Sequence, residues 1–255
     1  MLPKPFIKEL NNHFQSESLI VHPDELTLYA FDGLQLNSGI PKIVILPESS
    51  NQVSQIIKLC NKYNLPFTAR GAGTGLSGGA LSDGGVIIQL SRMNQILELD
   101  IGNRIAVVQP GVVNVHLTQM VREYNLHFAP DPSSQIVSTI GGNNAENAGG
   151  PHTLKYGVTT HHILGQKVVL PNGSIVNFGD KLRYQNGFDF SSVFTGSEGT
   201  LGITTEIIVE LTLSPDTVET FLLSFDNYKN AADMVSEMLE TGIIPAALEF
   251  MDKLC

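Results

Sequence analysis

The sequence predicts an α+β protein, and two kinds of pattern support this fold class. Short runs of β-branched and aliphatic residues, at 43–46 and 86–90, are typical of buried strands. Between these runs, apolar residues recur at helical spacing from Val53 to Cys60. Hydrophobic residues make up 42% and charged residues 16% of the 255 positions, so the chain can bury a sizeable core.

The first half of the chain predicts a βαβ unit. Residues 43–46 form its first strand, and Ser49 or Ser50 caps a helix that ends at Asn64. A second strand begins at residues 67–69 and completes the unit.

The second half of the chain predicts mostly strands. Residues 171–174 read Pro-Asn-Gly-Ser between two apolar runs, which is a good hairpin signal. In order, we expect a strand at 104–109, a helix at 115–124, hairpin strands at 166–170 and 175–178, and a strand at 203–211. Taking both halves together, we divide the α+β region near residue 98 into a smaller first lobe and a larger second lobe.

A glycine-rich loop follows the βαβ unit. Five of the ten residues from Arg70 to Gly79 are glycine. Backbone without Cβ atoms can reach positive φ and bring several N–H groups close to one anion. Arg70 adds a fixed positive charge, which we expect at the mouth of the loop. The loop therefore predicts a phosphate-binding site, with a ligand-free surface turn as the alternative.

Two familiar phosphate motifs are excluded. Residues 73–78 fit G-x-G-x-x-G, but residues 79–85 cannot start the helix on which a nicotinamide site depends. A Walker-type loop needs a lysine, and none lies between Lys62 and Lys155.

Two further segments, 130–150 and 196–203, are rich in glycine, small hydroxyls and amides. Such residues let backbone and short side chains hydrogen-bond a large polar ligand at close range. Three segments of this kind suit a long dinucleotide that is held by loops instead of by one helix dipole.

At this point the chain resembles the FAD-binding PCMH-type domain of the vanillyl-alcohol oxidase superfamily. Within that superfamily it is similar to the FAD-linked oxidases that include glycolate oxidase D subunits, D-lactate dehydrogenases and D-2-hydroxyglutarate dehydrogenases. The resemblance rests on the order and spacing of residues 29–33, 47–50, 70–79, 130–132, 140–143, 155–159 and 198–202. It implies a two-lobed FAD-binding domain, with lobes at 1–97 and 98–215 and the dinucleotide between them.

The resemblance also implies which residues hold FAD. The pyrophosphate would be wrapped by backbone N–H groups of Arg70, Gly71, Ala72, Gly73, Thr74, Gly75, Ser77 and Gly78. The stretch from pyrophosphate to isoalloxazine would be held by Ser138, Thr139, Gly141, Gly142 and Asn143. Close approach would be allowed by Gly149, Gly150 and Gly157. Pro130 would lie near the flavin ring, Gly202 and Ile203 would hydrogen-bond either the adenine or the flavin edge, and Glu198 would be a buried structural acceptor or a catalytic acid.

Within the resembling family, one residue indicates whether FAD is bound covalently or non-covalently. Some relatives bind FAD covalently through a histidine where this chain has Thr74. A hydroxyl does not attack the flavin methyl, so we expect non-covalent FAD.

The histidines predict no metal site. His161 and His162 would point to opposite faces of a strand, and the other histidines show no ligand spacing. His152, beside the glycine pair at 149–150, could approach the flavin.

Charge and targeting signals narrow the function further. A net charge of −10 argues against nucleic acid as a partner. The two cysteines, Cys60 and Cys255, fit a reducing compartment, and Cys60 is expected in the core. No signal peptide or transmembrane segment is evident, which favours a soluble, cytoplasmic protein.

After Ser214-Pro215 a new pattern begins. It predicts a strand at 218–225, a helix from Asn227 to Gly242 and a strand at 243–250. In the resembling family this is the start of an α/β substrate-binding cap domain, here at 216–255. The catalytic residues, any metal ligands and the substrate-binding groups of the family would lie beyond residue 255. We therefore expect a truncated chain that does not turn over substrate by itself.

Three functions remain open. The first is the FAD-binding part of a flavin-dependent D-2-hydroxy acid dehydrogenase or oxidase of glycolate or D-lactate type, with an electron acceptor or partner subunit. The second is an inactive flavin-binding module that needs a partner chain. The third, an enolpyruvyl-reductase-like enzyme, would oxidise NADPH, and turnover of a 2-hydroxy acid with a dye acceptor separates the first two.

Overall fold

The computed structural model describes residues 2–182 and 187–252, which form two main sheets, a short two-stranded sheet, eight α-helices and the loops that connect them. The helices are α1 (Lys4–His13), α2 (Pro23–Leu26), α3 (Ser50–Lys62), α4 (Asn114–Val121), α5 (Ile140–Glu146), α6 (Thr153–Tyr156), α7 (Phe190–Phe194) and α8 (Tyr228–Glu240). The strands are β1 (Leu19–Ile20), β2 (Ile43–Ile45), β3 (Phe67–Arg70), β4 (Val86–Gln89), β5 (Ile96–Asp100), β6 (Ile105–Val108), β7 (Leu126–His127), β8 (Ile163–Val169), β9 (Ile175–Gly179), β10 (Ile203–Glu210) and β11 (Thr212–Leu213).

The first sheet confirms the predicted βαβ unit. Its strand order is β1-β2-β4-β3, and β2 and β3 both run parallel to β4, which lies between them. The Ser49 side chain caps α3 by accepting a hydrogen bond from Gln52 N. Strands β2 and β4 are fully buried on both faces, which explains their unbroken apolar runs.

The second sheet is antiparallel, with strand order β5-β6-β10-β8-β9. The predicted hairpin at 166–178 is β8 and β9, and the predicted strand at 203–211 is β10. Buried and half-buried residues alternate along β10, as expected for a strand with one face on the core. The last strand of the first sheet, β4, ends at Gln89, and the first strand of the second sheet, β5, begins at Ile96.

Helix α3 joins the two sheets. Its residues Ile56 and Cys60 are fully buried in one apolar cluster that also contains Val169 of β8 and Ile203 of β10. Burial in this cluster raises the pKa of the Cys60 thiol to about 12, so the prediction of a core cysteine is confirmed. Cys255, the other cysteine, lies outside the described residues.

The predictions for the C-terminal segment are partly wrong. Helix α8 is confirmed, with Asn227 as its N-cap and Gly242 at φ +84 just beyond its end. Residues 218–225 and 243–250 form no strand. Phe221 and Leu222 are 76% and 85% exposed, because no described strand pairs with this segment to cover its apolar side chains.

We expect limited proteolysis to remove this segment first. Its exposed backbone has few partners, and the entropy of ordering it is not offset by burial. Cleavage should occur near Ser214-Pro215 and leave a resistant fragment of residues from the two sheets. Mass spectrometry of the fragments checks this, and a segment that resists protease as long as β8 and β10 do would contradict it.

Candidate cofactor site

A cavity of about 430 Å³ lies where the glycine loop meets the second sheet. Its walls come from the end of β3, the start of α5 and the segment that leads into β10. Of the residues predicted to bind FAD, it is lined by Arg70, Gly71, Ala72, Gly73, Thr74, Gly75, Ser77, Thr139, Gly141, Gly142, Asn143, Glu198, Gly202 and Ile203. Thus the fold brings together three segments that are distant in the sequence.

The glycine loop supplies free backbone donors. Residues 71–85 contain no helix, as predicted, so the G-x-G-x-x-G pattern does not open one. No described residue accepts a hydrogen bond from the N–H groups of residues 71–77. Such donors are suited to an anionic ligand.

Arg70 is not at the mouth of the loop, which corrects the prediction from the sequence. The residue is 8% exposed, and its guanidinium donates to the carbonyl oxygens of Phe31 (2.9 Å) and Ala80 (3.2 Å). It also lies over the Tyr29 ring, 5.6 Å from the ring centroid. These two carbonyl oxygens and the Tyr29 ring therefore hold the Arg70 guanidinium in a buried position beneath the loop.

Helix α5 begins inside the second glycine-rich segment, so one of the three segments expected as loops contains a short helix. Thr139 caps the helix, because its Oγ1 accepts a hydrogen bond from Gly142 N at 3.1 Å. The two glycines differ in their surroundings. A Cβ on Gly141 would lie 2.4 Å from Cβ of Pro110, whereas a Cβ on Gly142 would meet only Thr139 Oγ1, at 3.3 Å.

Asn143 and Asn144, both in α5, are buried but differ in their hydrogen bonding. The amide of Asn144 donates to Gln166 Oε1 (2.9 Å) and accepts from Thr195 Oγ1 (2.9 Å). Asn143 is 2% exposed and lines the cavity, but its Nδ2 has no partner among the described residues. A buried donor without a partner is costly. A ligand oxygen in the cavity would satisfy it.

Two carboxylates lie at the other end of the glycine loop. Cβ atoms built on Gly75 and Gly79 would lie 3.4 Å from Glu146 Oε1 and 2.9 Å from Glu198 Oε2. Partial burial and the charge of Glu198 raise the pKa of Glu146. Glu198 itself is exposed, so the expectation of a buried structural acceptor is wrong. Its backbone N–H, at φ +52, donates to the carbonyl of Ala145.

Six of the predicted residues lie outside the cavity wall: Gly78, Pro130, Ser138, Gly149, Gly150 and Gly157. Some of them position neighbouring backbone. The Pro130 carbonyl accepts from Asn114 Nδ2 at 2.7 Å, and a Cβ on Gly150 would lie 2.1 Å from Asp131 O. Their roles in binding stay predictions.

His152 also lies outside this wall, within hydrogen-bond distance of Asp131. The distance from His152 Nδ1 to Asp131 Oδ2 is 2.5 Å. His161 and His162 lie in a single 3₁₀ turn, not on a strand. The described residues contain no group of three or more His, Cys, Asp and Glu side chains able to hold a metal ion.

A second, more open cleft of about 1210 Å³ shares Gly71, Ala72 and Thr139 with the first. Gln89 lines it, with Nε2 donating to Gly71 O and a buried Oε1 that has no described partner. The loop backbone at 71–72 therefore separates two adjoining spaces.

Several cavity residues were missed from the sequence. Ser133, Ser134 and Glu146 lie within the polar segment 130–150, whose composition does not single them out. Thr204 follows the predicted 196–203 segment and was read only as part of a strand. Composition marks the segment, but only the fold shows which side chains reach the cavity.

A dinucleotide fits this arrangement. Backbone N–H groups at 71–77 and Asn143 Nδ2 can bind phosphate oxygens, and the glycines leave room for close approach. The carboxylates at the other end can accept hydrogen bonds from hydroxyl groups.

Comparison with known proteins agrees with this assignment. Residues 41–179 match the FAD binding domain family, and residues 214–255 match the C-terminal domain of FAD linked oxidases. Within residues 2–182 and 187–252, no helix is long and apolar enough to cross a membrane.

The similar curated proteins are mostly about twice as long. Glycolate oxidase subunit GlcD of Escherichia coli K12 is 43% identical over 96% of this chain and 49% of its own length. GlcD of Bacillus subtilis is 43% identical over 89% of this chain and 48% of its own length. D-lactate dehydrogenase of Anaerostipes hadrus is 36% identical over 90% of this chain and 47% of its own length. The chain thus spans about half the length of the relatives it matches.

Solved structures show the same fold. An alkyldihydroxyacetonephosphate synthase superposes with a TM-score of 0.85 at 25% identity, over 97% of this chain and 47% of the synthase. p-Cresol methylhydroxylase superposes with a TM-score of 0.78 at 20% identity, over 93% of this chain and 49% of the hydroxylase.

Proposed function

Because the chain belongs to the FAD-binding PCMH-type domains of FAD-linked oxidases, we propose that it is the FAD-binding part of a flavoenzyme that oxidises a D-2-hydroxy acid of glycolate or D-lactate type. The observation that carries this proposal is the cavity of free N–H donors and glycines, in a chain 43% identical to a glycolate oxidase subunit. Flavin would supply a two-electron acceptor for the hydrogen on Cα of the acid.

The residues of the chain would bind and orient this cofactor. The loop at 71–77 and Asn143 would hold the pyrophosphate through N–H donors. Glu146 and Glu198 would face hydroxyl-bearing parts of FAD, since carboxylates placed beside the phosphates would repel them. Thr74 lines the cavity and offers no nucleophile for a flavin methyl group, which supports non-covalent binding.

Partners and location form part of the proposal. The chain is similar to a protein named as an oxidase subunit, which supports a partner subunit or external electron acceptor. The two cysteines in the whole sequence support a reducing, cytoplasmic setting.

An inactive flavin-binding module is the second candidate. It is favoured by the match to the oxidase C-terminal domain at residues 214–255, where the predicted strands are not formed. Such a module would bind FAD but would need another chain to complete a substrate site.

The first experiment is to identify the bound cofactor. We expect the purified chain to bind FAD at one per chain and to release all of it, as FAD, into the supernatant after acid precipitation. FMN has one phosphate and would leave half of the donors unpaired, so its affinity should be at least tenfold lower, about 1.4 kcal/mol. Preferential binding of FMN or NAD, or a washed precipitate that stays yellow, would contradict the proposal.

The second experiment separates the two candidates. FAD-loaded chain is mixed anaerobically with glycolate or D-lactate, and the flavin absorbance is followed. Bleaching by a hydroxy acid supports an active enzyme, whereas bleaching by dithionite alone supports the module. Oxidation of NADPH would indicate an enolpyruvyl-reductase-like activity instead.

A further inference from the structure

The turn at residues 29–33 contacts the underside of the glycine loop at several points. We call Tyr29, Phe31, Asp32 and Gly33 the N-terminal clamp. These residues precede the match to the FAD binding domain family, which begins at residue 41. None of them lines the 430 Å³ cavity.

The N-terminal clamp is hydrogen-bonded to both ends of the loop. Gly33 N donates to the carbonyl of Gly75, and Gly78 N donates to Asp32 Oδ2, both at 3.0 Å. The Phe31 carbonyl accepts from the Arg70 guanidinium, 2.9 Å away. The loop is therefore tied down before, within and after its free N–H groups.

Asp32 is the centre of this arrangement. The residue is 7% exposed, and its Oδ1 accepts from Leu34 N and Gln35 N, each at 3.0 Å. With Gly78 N, three N–H donors surround the carboxylate and hold the pKa of Asp32 below its ordinary value. The side chain is thus a charged acceptor that fixes both its own turn and the loop.

The N-terminal clamp also explains the position of Arg70. The guanidinium lies between Phe31 O, Ala80 O and the Tyr29 ring. Burial there lowers the pKa of Arg70, although the nearby Tyr29 and Asp32 oppose that shift. Two of its nitrogens are therefore already engaged as hydrogen-bond donors within the protein. Binding of an anion to this loop depends on the shape of the backbone more than on a free cation.

We propose that the N-terminal clamp holds the glycine loop in its cofactor-binding shape, and that Asp32 is a positioning residue for FAD. This inference rests on the proposed binding of FAD. A loop of many glycines loses much conformational entropy when it is ordered. Contacts that order the loop before binding reduce that cost and raise affinity.

The test compares Asp32→Asn with the unmodified chain. Asparagine keeps the shape of the side chain, but its NH₂ group faces the Gly78 N–H or one of the other two donors. The FAD dissociation constant should rise at least tenfold. Amide exchange of Gly78 in the apo protein should be at least tenfold faster, while exchange in β4 stays unchanged. The matched control is Asp24→Asn, because Asp24 has a 92% exposed side chain whose described ionic neighbour is His22, at 3.7 Å.

A second variant tests the same contact by a different route. A Cβ on Gly33 would lie 2.6 Å from Thr74 O, so Gly33→Ala should push the turn away from the loop and weaken FAD binding comparably. If Asp32→Asn does not fold, Gly33→Ala alone tests whether contact between the clamp and the loop raises FAD affinity.

Three results would overturn the inference. One is unchanged FAD affinity in both variants, and another is unchanged Gly78 exchange in the folded Asp32→Asn protein. The third is equal acceleration of exchange in β4, which would mean general destabilisation. Failure of the unmodified chain to bind FAD would overturn the proposed function instead, and apo exchange at Gly78 would still show whether the clamp orders the loop.

Discussion

Replacing Gly73 by valine should lower FAD affinity at least tenfold, about 1.4 kcal/mol, while the two sheets remain folded. Gly73 has φ +72, which a β-branched residue adopts only with strain. A Cβ there would also lie 2.3 Å from Arg70 Nη2, and the guanidinium would have to leave its two carbonyl acceptors. Both effects change the loop that carries the free N–H donors. Calorimetric titration of the apo protein with FAD measures the change.

Gly78→Ala is the matched control for backbone strain. Gly78 has a similar φ, +83, but no heavy atom lies within 4 Å of its ideal Cβ. Its FAD affinity should therefore fall less than that of Gly73→Val, because the strain at positive φ remains but the clash with Arg70 does not. If Gly73→Val binds FAD as tightly as the unmodified chain, the loop does not hold the phosphates.

The second large effect concerns the glycine pair at the start of α5. Gly141→Val should lower the free energy of unfolding by about 3 kcal/mol, because overpacking against rigid backbone cannot be relieved by side-chain motion. The new Cβ would be 2.4 Å from Pro110 Cβ and 2.8 Å from Pro110 O. The helix would be forced away from the strands that Asn144 joins through Gln166. Urea unfolding followed by circular dichroism measures this loss.

The neighbouring glycine provides the control. Gly142→Ala puts a Cβ 3.3 Å from Thr139 Oγ1 on the cavity side, and alanine favours helix by about 1 kcal/mol over glycine. Stability should change by less than about 1 kcal/mol, whereas FAD binding should weaken. Equal loss of stability in both variants would show that the two glycines do not have the separate roles assigned here.

Local signals explain which elements were predictable. Strands β2 and β4 are continuous apolar runs, and α3 has both a serine cap and helical spacing, so each is specified within a few residues. Helix α5 was missed because two adjacent glycines argue against a helix. Contacts far away in the sequence, from Asn144 to Gln166 and Thr195, override that preference.

The same reasoning explains the errors at 218–225 and in the site. An apolar run predicts a strand only if a partner strand exists, and the described residues supply none for this segment. For Arg70, the sequence shows a charge but not its direction. That direction depends on Phe31 and Ala80, whose carbonyl oxygens no sequence pattern marks as acceptors.

The connection between β3 and β4 has a thermodynamic consequence. These strands are adjacent and parallel, and residues 71–85, without a helix, form the whole crossover between them. Parallel neighbours are usually joined through a helix, which brings stability of its own. In this protein a ligand bound to the crossover would provide that stability, because it would also hold β3 and β4 together. At a free FAD concentration a hundred times its dissociation constant, linkage would add about 2.7 kcal/mol to the stability of the folded state. A cell depleted of flavin would therefore hold this protein in a form more easily unfolded and degraded.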